Sequence, residues 1–94
     1  MIARVLGNSR RNRSVDFFLY GSRADDRLRG GDIDLVGIGA SADIATLQTE
    51  RIEILARLER ALGERRIDLS FVTREQAAAD AFWRRALVGA VRLG

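Results

Sequence analysis

Phe17-Phe18-Leu19-Tyr20-Gly21-Ser22, nine residues of turn, and then Asp32-Ile33-Asp34-Leu35 form the stretch on which the reading of this chain turns. Phe17 to Tyr20 reads as a buried strand that stops at Gly21-Ser22. Asp32 and Asp34 stand two positions apart among branched apolar residues, which places both on one face of an extended strand with Ile33 on the other. Their side chains start about 7 Å apart, close enough to converge on one hard cation, and Mg²⁺ takes oxygen ligands at about 2.0–2.1 Å. The glycine lets backbone amides approach a ligand closely, and free N–H groups at a following helix start would suit phosphate. A phosphate cradle facing a paired-aspartate metal site suggests phosphoryl or nucleotidyl chemistry.

Working outward, the chain predicts a helix over 1–7, a polar loop to Ser14, strands at 15–20 and 32–38, and the intervening turn at 21–31. From Asp43 to Leu62 the pattern is helical: Ile44, Leu47, Ile54, Leu55, Leu58 and Leu62 share one stripe, and Gly63 marks the stop. Arg51 falls inside that stripe, either as a snorkelling side chain, or because the helix starts later, or as an arginine aimed at phosphate. Ile67 to Val72 reads as a third strand. Thr73 followed by Gln76 signals a capping box for a helix of about 75–88, ended by Gly89, with a short edge strand over 90–93.

The 21–31 connection is too short for a crossover helix, so the first two strands should pair antiparallel, whereas the 43–62 helix is long enough to cross to the third strand. The expected class is therefore α/β (α+β): a small mixed or antiparallel sheet covered by helices on one face, in a single domain spanning 1–94.

Composition narrows the chemistry. The 94 residues include no cysteine and no histidine, which removes thiolate sites, the usual Zn²⁺ ligands and the neutral-pH imidazole base. Any proton acceptor must be a carboxylate, and any metal must be held by oxygen. All 16 basic residues are arginine, and the formal charge is +3 with both signs interleaved. Arg10, Arg11 and Arg13 form the one basic cluster, read as a solvated loop, and nucleic acid is not the expected partner. No apolar run approaches the roughly 18 residues of a membrane span and no leader pattern is visible, so a cytoplasmic location without membrane contact is expected. A chain of this size buries only about 60–65% of its extended surface, which makes a partner subunit or self-association helpful to stability.

Asp68 is the single charge in Ile67-Asp68-Leu69-Ser70-Phe71-Val72, where a bare charge would be costly to bury. If the third strand lies beside the second, Asp68 reaches the same pocket as Asp32 and Asp34. Carboxylates about 4 Å apart repel by roughly 4 kcal/mol at an effective dielectric near 20, so three of them take up protons or bind cations. With one or two Mg²⁺ and a nucleoside triphosphate, Asp32 and Asp34 would hold the metal at the triphosphate. Asp68 would ligate the metal near the acceptor and help deprotonate an attacking hydroxyl. Gly21 and Ser22 would hold the β- and γ-phosphates, with Arg23 either adding charge or forming a surface salt bridge with Asp25 or Asp26.

The run Gly21-Ser22-x9-Asp32-Ile33-Asp34-Leu35 with Asp68 on the next strand resembles the DNA polymerase β-type nucleotidyltransferase superfamily. Within it the chain is most similar to the minimal nucleotidyltransferases, over residues 15–93. Gly31 stands where that family often has serine, and the N-terminal segment looks shorter and more polar than the usual first helix. The resemblance implies a palm-like catalytic core, ATP as donor and Mg²⁺ as cofactor. It further implies an antitoxin role: transfer of AMP to a tyrosine of an all-helical HEPN-domain toxin. Two other functions remain open from the residues: a small-molecule nucleotidyltransferase subunit of the aminoglycoside-modifying kind, and a non-catalytic antitoxin that acts by binding alone.

Overall fold

The computed structural model describes residues 15–21, 33–63 and 66–93. The expected helix over 1–7, the arginine cluster at Arg10, Arg11 and Arg13, and the turn from Ser22 to Gly31 lie outside the described residues. Strands β1 (Val15–Tyr20) and β2 (Ile33–Gly39) pair antiparallel from Val15 opposite Gly39 to Tyr20 opposite Asp34. Helices α1 (Ser41–Thr49) and α2 (Arg51–Leu62) then carry the chain across to β3 (Ile67–Thr73), which runs parallel to β2. Helices α3 (Arg74–Ala79) and α4 (Ala81–Ala86) follow, and β4 (Val91–Leu93) returns antiparallel to β1. The mixed sheet has the order β3-β2-β1-β4. This is the α+β class the pattern predicts, with the antiparallel first pair and the helical crossover both in place.

Strand alternation sorts the side chains into two layers. Val15, Phe17, Leu19, Ile33, Leu35, Leu69 and Phe71 face one way and pack on Ile44, Leu47, Ile54 and Leu58 of α1 and α2. Leu35, Leu47 and Leu58 are fully buried there, each side chain stabilising the fold by about 1.5–3 kcal/mol. Gly37 is the small residue of this layer, and a Cβ at that position would lie 2.8 Å from Phe17 Cε1 and 3.1 Å from Phe71 Cδ1. Its missing side chain lets the two rings meet edge to face with centroids 6.4 Å apart.

The opposite face is also covered, which corrects the expectation of helices on one face only. Tyr20, Val36 and Val72 pack there against Ala77 of α3, with Trp83 and Ala86 of α4 alongside. The two short helices supply a second apolar layer because β2, flanked on both sides, alternates Leu35/Val36 and Gly37/Ile38 with almost no polar position.

Two long helices expected from periodicity are each broken once. At Glu50 the N–H donates to the Leu47 carbonyl, three residues back, while the Thr49 hydroxyl takes the Thr46 carbonyl at 2.6 Å. That side-chain bond occupies the acceptor the helical ladder would have used, and the axis turns. At Asp80 the backbone is extended (φ −81°, ψ 124°) and its carboxylate accepts from the Phe82 N–H, so this residue starts α4. The capping box read at Thr73 and Gln76 is present in both directions.

Arg51 begins α2, and its Nε donates to the Leu69 carbonyl at 3.0 Å. Gln48 donates to the Phe71 carbonyl at 3.5 Å. Both acceptors lie on β3, an outer strand of the sheet, so these side chains cap its edge. The charge in the apolar stripe thus has a structural task, and phosphate is not needed to explain it.

Candidate functional site

Parallel pairing of β2 and β3 puts Asp34 directly opposite Asp68, and antiparallel pairing of β1 and β2 puts Tyr20 directly opposite Asp34. Tyr20, Asp34 and Asp68 therefore form one row across three strands, all on the face covered by α3 and α4. Adjacent strands are about 4.8 Å apart, so the two carboxylates start at the spacing of neighbouring strands. The row lies where β1 ends and β2 and β3 begin.

Asp34 is half-buried and Asp68 is exposed. Asp68 is therefore not a buried charge as its apolar neighbours predict: it stands near the start of β3, ahead of the apolar run, and its charge stays in water. Solvent access is what an incoming cation or phosphate would require.

Gly21 follows Tyr20 directly, with φ at +81°, and a Cβ there would lie 2.7 Å from Asp34 Oδ2. Only a residue without a side chain lets the backbone come so close to that oxygen in this left-handed conformation. Of the site residues drawn from the sequence, Gly21, Asp34 and Asp68 are thus brought together. Asp32, Ser22 and Arg23 lie outside the described residues.

Sequence reasoning overlooked two hydroxyls. Tyr20 is buried, its ring meets Trp83 edge to face at 5.3 Å, and Ser70 on β3 shares its face of the sheet. Burial raises the phenol above its ordinary pKa, the charges of Asp68 and Asp34 push the same way, and the Ser70 hydroxyl opposes them. The signal was available in strand periodicity: Tyr20, Asp34, Asp68 and Ser70 occupy the same face once the register is known.

Among the described residues no group of three or more potential metal-ligating side chains occurs. Asp34 and Asp68 nonetheless fit a hard divalent cation. They offer carboxylate oxygens from opposed positions on neighbouring strands, and the Gly21 backbone comes close to one of those oxygens. Among the described residues no helix is long and apolar enough to cross a membrane. No protein-family model, curated protein or solved structure matches the chain.

Proposed function

We propose that the chain is a Mg²⁺-dependent nucleotidyltransferase that moves AMP from ATP to a hydroxyl of another polypeptide. The acceptor we favour is a tyrosine of a helical HEPN-domain toxin, which would make the chain the antitoxin of the pair. The observation that supports this most is the in-register Asp34–Asp68 pair at the end of the sheet where β1 stops and β2 and β3 begin, with the Gly21 backbone against Asp34.

Asp34 and Asp68, with Asp32, would hold one or two Mg²⁺, which when bound would neutralise the triphosphate and the charge that develops on the reacting oxygens. Gly21 and Ser22 would hold the β- and γ-phosphates through backbone N–H groups and the serine hydroxyl, with Arg23 adding positive charge. Asp68, exposed near the start of β3, would take the acceptor's proton and pass it to water. The acceptor oxygen forms a bond to the α-phosphorus, the bond from that phosphorus to the bridging oxygen of the β-phosphate breaks, and pyrophosphate leaves. Contact with a separate acceptor suits Asp68, because its carboxylate is the exposed member of the pair.

Incubation of the chain with α-labelled ATP, Mg²⁺ and the product of the adjacent gene tests the proposal. Label on the partner protein, lost in Asp34→Ala and Asp68→Ala, is expected. Label on an aminoglycoside instead would move the reading to a small-molecule transferase. Neutralisation of a toxin that survives both substitutions would leave binding alone.

A further inference from the structure

Tyr20 stands at the boundary between the carboxylate pair and the apolar layer formed by Val36, Val72 and Ala77. Its strand is β1, yet it belongs to one packed cluster with Val36 of the central strand β2 and Val72 of β3, and Ser70 of β3 shares that face, so the side chain lies over β2. Asp34 is opposite Tyr20, and Val36 is opposite Ser70. The phenol therefore passes over the stretch of β2 between the acidic position and the first apolar one. Trp83 of α4 lies against the ring at 5.3 Å with the planes 69° apart, and Phe82 backs Trp83 at 4.9 Å. Ring and strand are thus both held, and a tyrosine has only two side-chain torsions to fix.

We propose that Tyr20, held against Trp83 and sharing its face with Ser70, is a positioning residue of the Asp34–Asp68 pair. Its phenol forms the polar wall behind the carboxylates and keeps both side chains turned toward a single divalent cation. The inference rests on the metal-dependent reading above. A wall of this kind offers a hydroxyl dipole to two like charges, whereas bare apolar surface would let them splay toward water. Outer groups that orient metal-binding carboxylates typically contribute 10–100-fold in metal affinity.

The chain carries one tryptophan, Trp83, in ring contact with Tyr20, so its emission reports on the site without any catalytic assay. Mn²⁺ titration of the intact chain, read by Trp83 fluorescence, is the test, using Tyr20→Phe, Ser70→Ala, the double variant and Asp34→Asn. Tyr20→Phe retains the ring and its packing and removes only the hydroxyl. The expected result is a Mn²⁺ dissociation constant raised about 10-fold or more in each single hydroxyl variant. The double variant should be no weaker than the weaker single one, because the two groups act as a unit. In AMP transfer, the Mg²⁺ concentration required should rise while the rate at saturating Mg²⁺ falls much less. Native-like Mn²⁺ affinity in Tyr20→Phe, or fully additive losses in the double variant, would overturn the positioning role and leave the carboxylate site standing. Identical titrations of the native chain and Asp34→Asn would overturn the site itself, and this inference with it.

Discussion

Replacing Gly21 with alanine separates the demands of the backbone from those of the site. The residue has φ +81°, and Gly89, before β4, has φ +78° with nothing within 4 Å of an added Cβ. An L-residue in the left-handed region costs about 1–2 kcal/mol, and the two alanine variants share that cost. In a domain of this length each kcal/mol lowers the melting temperature by about 4–8 °C, so both should melt roughly 5–15 °C lower. They differ in what the new methyl meets. At Gly21 it would lie 2.7 Å from Asp34 Oδ2, and ordinary van der Waals contact begins at 3.4 Å, so the oxygen must retreat by about 0.7 Å. A terminal carboxylate oxygen can rotate away at little further cost in stability. A displacement approaching 1 Å at reacting groups nonetheless costs up to about 100-fold in rate. Circular-dichroism melts and labelled-AMP transfer, measured well below both melting temperatures, are the assays. Similar melts, with transfer reduced about 10–100-fold in Gly21→Ala alone, are expected. Equal transfer by the two variants would refute the claim that the close approach of Gly21 shapes the acidic pair.

Gly37→Ala should lower stability by about 1–3 kcal/mol through overpacking, since its methyl would meet Phe17 and Phe71 inside 3.2 Å. Urea unfolding checks this, adding Phe17→Leu should restore part of the loss, and an unchanged midpoint would count against the packing described. Tyr20 is the chain's one tyrosine, so phenolate absorbance titrates it alone. Its pKa is raised on folding, so the stability it contributes is complete below about pH 10 and is lost as pH climbs through the folded value. The native chain should therefore titrate above its urea-unfolded form and lose stability in strong alkali, a loss that Tyr20→Phe should abolish; coincident titration curves would disprove this. Asp34→Ala should remain folded, because it removes one of two facing like charges and leaves the core untouched; collapse of its far-ultraviolet circular dichroism would assign the residue a structural task instead.

Much of this architecture was legible because strand alternation is a direct record of sheet faces. Val15, Phe17 and Leu19 repeat every second residue, and so do Ile33 and Leu35, so β1, β2 and their antiparallel pairing follow from pattern and loop length. Asp34 and Asp68 could be placed on their strands for the same reason. The break at Glu50 was signalled only by Arg51 interrupting the stripe, one reading of which is the later helix start that the structure has, and the break at Asp80 had no such mark; both arise from local side-chain bonds of Thr49 and Asp80 that compete with the ladder. The second helical layer was missed because Ala77, Trp83 and Ala86 form too short an apolar stripe to declare which face they cover. Tyr20 and Ser70 escaped notice since their juxtaposition depends on the order of three strands, and register is a tertiary property.

The turn of the backbone at Glu50 has a bearing on solubility. Straightening α1 into α2, for instance through Thr49→Leu, would favour a continuous rod and raise helicity. It would also carry Gln48 and Arg51 away from the carbonyls of Phe71 and Leu69 that they now shield. Those carbonyls would then be open to a strand from another molecule, and a more helical protein would be a stickier one.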